Sequence, residues 1–445
     1  MKLSLVLIIL STLALAKAPS DFKDSSKQFR FVDFSQVQYE IVYDLENKTA
    51  IAKTIINFDQ KKSGHPIFDL IPEVQSIELD GASVNALSLK SPSNETNYRS
   101  IDKSIQAGAH TLSITNKIDK NIDFDGNELS SAFWMSDLND RQYIEQYIPS
   151  NIEYDQFAVS MNLEIIGTAK EHTVYTNGEV TSTSKNQFAI SYPDYFTASS
   201  LYFHVAPKGK FEEVSFKFKS KSNKNIPVRI YKKKSFWSTS LKTLKENTLS
   251  ILNELESKFG NWPHPSLTIY NAGMGGMEYS GATITSTSAL GHELTHSYFA
   301  RGVMPVDGNS GWMDEAIASW RDDGYQSVSS PNFSKTSMAA HSEYRRYTDR
   351  NAYTKGANFM AYLNNKLESQ GGLTSFLNEL HTNFTHTSIT THDFIKEING
   401  FSGLSFNSDF DRYIFAKSNM NKTKEEPVAN PYHPVLTQKQ LLELL

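Results

Sequence analysis

Cysteine is absent from all 445 residues. That absence excludes disulfides, thiolate metal ligands, a cysteine nucleophile and a lipidated N-terminal cysteine. A basic excess is missing too. Lys and Arg number 44 against 49 Asp and Glu, a formal net charge of −5, so a polyphosphate chain finds no electrostatic counterpart and no nucleic-acid partner is expected. Internal repeats and low-complexity tracts are also missing. Long apolar runs are confined to the start, "MKLSLVLIILSTLALA", residues 1–16. One basic residue, a dozen apolar ones and the small pair Ala14 and Ala16 read as a secretory signal cleaved after Ala16, too short for a bilayer span. An exported chain without a membrane span in its mature form is expected, periplasmic or secreted. Five Asn-x-Ser/Thr sequons begin at Asn47, Asn94, Asn332, Asn383 and Asn421, which matter only in a host that glycosylates.

From Phe29 to about Lys221 the chain reads as short alternating runs between polar turns, among them "VQYEIVYD", "AIAKTIINF", "HTLSITN", "AVSMNLEII" and "EEVSFKFKSK". Period-two alternation of this kind predicts an antiparallel β-sandwich. After one further strand, "IPVRIY", the period becomes helical in "SLKTLKENTLSILNELESKFG", and the remainder is mainly helical. The fold class is therefore α+β. A boundary near Asn225 divides a β domain, 17–225, from a second domain, 226–445.

The chemistry is concentrated in "HELTHSYFARGVMPVDGNSGWMDEA", residues 292–316. On a helix, positions i and i+4 share a face, so His292 and His296 can aim two imidazole nitrogens at one point, about 2.0 to 2.1 Å from each for zinc. Glu293 projects beside that point, where it can take a proton from a water at the metal. A helix is expected across Ser286 to Arg301, ended by Gly302. A second helix beginning near Ser310 would return Glu315 as the third ligand, completing an open, catalytic zinc site. Asp322, seven residues on, lies on the same face as Glu315; it is either a partner for a zinc-bound histidine or a solvated surface acid.

These residues resemble the gluzincin metallopeptidases of the aminopeptidase N type. The HExxH-x18-E pattern is matched by His292, Glu293, His296 and Glu315; "GGMEY" at 275–279 resembles the family's G-A-M-E-N segment, "AYTKGA" its Y-x-K-G-A, and "IPVRIY" the strand that opens its catalytic domain. The resemblance implies a thermolysin-like catalytic domain holding one Zn2+ per chain, Tyr353 as donor to the oxyanion, and Glu278 as the carboxylate that meets the ammonium of the substrate. Gly275, Gly276 and Met277 complete that segment, their backbone approaching the peptide as an added strand. Tyr344, Tyr347 and Tyr362 are rivals to Tyr353. Tyr279 stands where the family has Asn. For a β-domain residue that helps bind the amine, Asp137, Asn139, Gln142 and Glu145 are candidates. The loops walling the cleft are shorter than in typical members and little chain follows Thr385, which implies an open active site. The expected activity is that of an exported zinc aminopeptidase acting on peptides with free N-termini. A gluzincin endopeptidase with an open cleft, or a secreted binding module without turnover, are the alternatives. Oligomeric state is not readable from the sequence.

Overall fold

The computed structural model describes residues 18–136, 142–234, 239–417 and 438–445. The signal-like run 1–16 and the candidates Asp137 and Asn139 lie outside the described residues.

Two twelve-residue strands, Asp33–Asp44 and Thr49–Gln60, form the central hairpin of an eight-stranded sheet. Their period-two pattern puts Val37, Tyr39, Ile41 and Tyr43 on one face, at most 1% exposed, as alternation across a strand requires. The sheet is mixed, a departure from the all-antiparallel expectation: Ala158–Ile166 runs parallel to Asp33–Asp44. More than a hundred residues separate these two strands, so no hairpin turn imposes opposite directions. Part of that connection, with two later segments, builds a four-stranded sheet of Ile122–Asp125, Glu128–Ala132, Phe203–Pro207 and His172–Thr176. Both sheets feed one core, joining Ile41, Phe58 and Ile114 to Leu129, Val174 and Val205.

The third sheet positions the site. Its order is Phe211–Lys219, Asn225–Lys233, Leu267–Asn271, Ala282–Thr285 and, at one edge, Gly276–Tyr279. The boundary expected near Asn225 falls at the turn of a hairpin, where Lys219 pairs with Asn225. Helix α1, Leu241–Phe259, crosses from Asn225–Lys233 to the parallel strand Leu267–Asn271. Ser240 caps it, its hydroxyl accepting the Thr243 N–H at 3.1 Å, and Gly260 at φ 96° ends it, a left-handed stop that a side chain would strain.

Helices α2, Leu290–Phe299, and α3, Trp312–Asp322, follow. They pack with α1 and the later helices on a second core around Leu252, Leu294, Trp312, Trp320 and Phe359. Helix α2 starts four residues later than the sequence suggests, because Ser286 is spent in a turn in which its hydroxyl accepts the Ala289 N–H at 3.2 Å. The N-terminal sheets and the edge strand meet through buried polar bonds. Asn177 Nδ2 donates to Ser280 O at 2.7 Å, and the Met135 N–H donates to the Tyr279 hydroxyl at 3.2 Å.

Candidate metal centre and its surroundings

The i, i+4 spacing on α2 and the antiparallel return of α3 bring together what the sequence keeps 23 residues apart. His292 Nε2 lies 3.2 Å from Glu315 Oε2, and His296 Nε2 lies 3.4 Å from the same oxygen. All three residues are buried, and their ligand atoms lie within 4.8 Å of one another. Asp322 is a partner and not a surface acid: His292 Nδ1 donates to Asp322 Oδ2 at 2.7 Å. That bond fixes the ring so that Nε2 faces Glu315. Burial opposes charge on His292, yet the hydrogen bonds to Asp322 and Glu315 carry its pKa well above the ordinary imidazole value. Two imidazole nitrogens and a carboxylate oxygen, buried and braced by a further carboxylate, are a donor set that fits zinc.

Asp322 is itself braced. Arg321 Nη1 bonds Asp322 Oδ1 at 3.0 Å, while its Nε and Nη2 grip Glu254 of α1 at 3.0 and 2.7 Å. Glycine at 291 makes room for this arginine, since a Cβ there would stand 2.0 Å from Arg321 Nη1.

Glu293 is fully buried, one residue after the first histidine. The edge strand runs so close that a Cβ on Gly276 would stand 2.1 Å from Glu293 Oε1. Gly275 turns the chain into that strand at φ 68°, a conformation that favours glycine. Met277 and Tyr279 pack into the first core, and the hydroxyl of Tyr279 is spent on Met135. Glu278, on the opposite face of the strand, is 1% exposed. Its Oε1 accepts from Arg301 Nη2 at 2.7 Å.

Tyr353 stands in a single π-helical turn, Ala352–Gly356, with its hydroxyl donating to Glu315 Oε1 at 2.6 Å. Its rivals are placed otherwise. Tyr344 donates to Ser20 O at 2.8 Å, Tyr362 donates to Asp409 Oδ1 at 3.0 Å, and Tyr347 lies 3.9 Å beneath the Arg345 guanidinium. Of the described amine-binding candidates, Glu145 accepts from Arg346 Nη2 at 3.1 Å and Gln142 from Lys120 Nζ at 3.4 Å.

Three residues escaped the sequence reading: Arg301, Glu153 and Ser199. Arg301 is 1% exposed and joins Glu278 to the other two. Its only sequence signal is an isolated charge within the apolar run "SYFARGVMPV".

No protein-family model and no curated protein sequence matches the chain. Solved structures do. The chain is similar to the M1 zinc metallopeptidase of Deinococcus radiodurans at a TM-score of 0.63 and 14% identity, over 84% of this chain and 92% of that one. It is similar to native yeast LTA4 hydrolase at 0.61 and 14%, covering 88% and 69%. Legionella pneumophila aminopeptidase A gives 0.61 and 13%, over 85% of this chain and 49% of that longer one. At such identities the likeness is one of fold: the chain has the fold of the M1 zinc metallopeptidases, the gluzincin architecture that the motifs resemble.

Proposed function

We propose that the protein is a zinc-dependent aminopeptidase that removes N-terminal residues from peptides. The observation that carries this reading is the buried set His292, His296 and Glu315, with Glu293 on the same helix and an edge strand passing directly over it. His292, His296 and Glu315 would hold a zinc ion, which when bound would supply a Lewis acid and make a water more acidic. Glu293 then takes the proton of the attacking water on its carboxylate and returns it to the leaving amine. Tyr353 turns its hydroxyl from Glu315 to the substrate's carbonyl oxygen as negative charge grows there. Asp322 keeps His292 in the tautomer that presents Nε2.

Among the described residues the strand Gly276–Tyr279 lies at one edge of its sheet, paired with Ala282–Thr285. Its outer edge suits an extended peptide, added as a further strand. Glu278 on that strand meets the ammonium and sets the register. The reading is supported by what similar structures hold: a Tyr-Ser-Ala substrate in the Deinococcus metallopeptidase and aspartic acid in the Legionella aminopeptidase. Export rests on the N-terminal run 1–16; among the described residues no helix is long and apolar enough to cross a membrane.

Zinc-loaded protein tested against a peptide library with free and acetylated N-termini decides the matter. Stepwise loss of N-terminal residues from the free peptides only is expected. Equal cleavage of both sets, at internal bonds, would reject the aminopeptidase and leave the endopeptidase.

A further inference from the structure

The carboxylate assigned to the substrate's ammonium is itself held by an arginine that the zinc motif does not contain. Arg301 begins one turn past the second histidine, its main-chain N–H bonded to His296 O at 2.9 Å. Its side chain turns back beneath the edge strand. Nη2 reaches Glu278 Oε1 at 2.7 Å and Nε reaches Glu278 O at 3.4 Å, so one guanidinium grips both the side chain and the backbone of one residue. Nη1 extends to Ser199 Oγ at 2.8 Å and Glu153 Oε1 at 3.3 Å, both on segments of the N-terminal half. Arg301, Glu278 and Ser199 are 1% exposed and Glu153 is 5% exposed.

A charge buried this deeply is tolerated only where its donors meet good partners. A planar guanidinium meets several at once, in a geometry that a lysine cannot copy. Swinging the Glu278 carboxylate away would break a buried, charge-assisted bond, so its orientation is set before substrate arrives. An exopeptidase depends on that. Cleavage after one residue requires a fixed distance between the ammonium and the carbonyl at the metal, and a carboxylate able to swing would accept ammonium groups at several distances.

We propose that Arg301 is a positioning residue that determines specificity: by holding Glu278 and tying it to Glu153 and Ser199, it sets the preference for a free N-terminus. This rests on the aminopeptidase reading. Arg301 does not touch the reacting atoms; it acts through Glu278. Because its N–H bonds His296 O at the end of α2, the helix that carries the two histidines is coupled directly to the ammonium carboxylate.

The test compares zinc-loaded wild type, Glu278→Ala, Arg301→Gln, Arg301→Lys and the double variant Glu278→Ala/Arg301→Gln. Each is assayed on a free aminoacyl reporter and on a peptide in free and N-acetylated forms, with zinc content and circular dichroism as controls. Arg301→Gln should keep its zinc while kcat/KM for free-amine substrates falls by roughly tenfold to a hundredfold, mostly through KM, and the ratio of free to acetylated cleavage narrows. Arg301→Lys should fall between, since it restores charge without the fork. In the Glu278→Ala background the arginine change should leave the ratio where it is, because residues acting as one unit are not additive. A folded, zinc-replete Arg301→Gln with the wild-type ratio overturns the inference, and so does a further loss on top of Glu278→Ala. Should Arg301→Gln fail to fold, a wild-type ratio in Arg301→Lys overturns it equally. A wild type indifferent to acetylation rejects the aminopeptidase reading itself, and this inference with it. A normal wild type and a damaged Glu278→Ala beside unaffected arginine variants reject the inference alone.

Discussion

Glu293 sits on the helix that carries His292 and His296, Tyr353 donates to Glu315, and each can be changed without altering a metal donor. Glu293→Gln keeps size and polarity and removes only the proton acceptor. Zinc content should stay stoichiometric while kcat falls by about 10²-fold to 10⁴-fold; near-normal turnover in a metal-replete sample would remove Glu293 from its role. Tyr353→Phe deletes one hydroxyl, now 2.6 Å from Glu315 Oε1. As an oxyanion donor its loss should lower kcat by roughly 100-fold to 1000-fold with little change in KM. A kcat within a few-fold of wild type would limit the hydroxyl to orienting Glu315. The sequence already named both residues, Glu293 from the spacing of HExxH on a helix and Tyr353 from the resemblance of "AYTKGA" to the gluzincin Y-x-K-G-A. It preferred Tyr353 with Tyr344, Tyr347 and Tyr362 as rivals, and where each hydroxyl ends is visible only in the fold.

At the scale of elements, the site is a strand, two helices and the distances between them. Helix α3 supplies Asp322 as well as Glu315, and the 2.7 Å bond from His292 Nδ1 predicts a measurable share of metal affinity. Asp322→Asn should weaken zinc binding by about 10-fold to 100-fold in chelator competition, with the fold intact; unchanged affinity would mean that the bond only packs the two helices. The approach of the edge strand to α2 is tighter still. Gly276→Val would place a Cβ at the position 2.1 Å from Glu293 Oε1, so kcat should drop while zinc is retained. A fully active valine variant would show that strand and helix separate easily. The succession of strands leading into helices was readable from periodicity, while the segment that became the edge strand was singled out by its resemblance to the gluzincin motif. Readable boundaries were less exact at α2, where Ser286 lies in a turn outside the helix. A short polar residue near a helix start serves a turn as readily as a cap.

Across the whole molecule, buried carboxyls give the protein a pH signature unrelated to the zinc. Burial raises Asp155 from 3.8 to about 7, although it accepts the Phe34 N–H at 2.6 Å and Asn151 Nδ2 at 2.7 Å. Asp307 rises from 3.8 to about 6, again chiefly through burial. The folded state thus keeps protons that the unfolded chain releases above its ordinary carboxylate pKa. This contribution is fully favourable below about pH 4, is lost as pH rises toward 7, and is flat beyond. Chemical denaturation from pH 4 to pH 8 should show stability falling with pH on account of these groups, and Asp155→Asn should reduce that slope. A slope identical to wild type would show that Asp155 titrates alike in both states.

The sequence by itself determined the ligand types and their spacing, the α+β class and the succession of strands leading into helices, because each is encoded in local spacing and periodicity. The parallel pairing of Ala158–Ile166 with Asp33–Asp44, the choice of Asp322 as histidine partner and the placement of Arg301 between Glu278 and Glu153 were decided only by the tertiary structure. Arg301 and Glu153 are separated by 148 residues, and no periodicity reaches that far. The reach of a buried guanidinium is fixed by which layers close over it, and that depends on the packing of the whole chain.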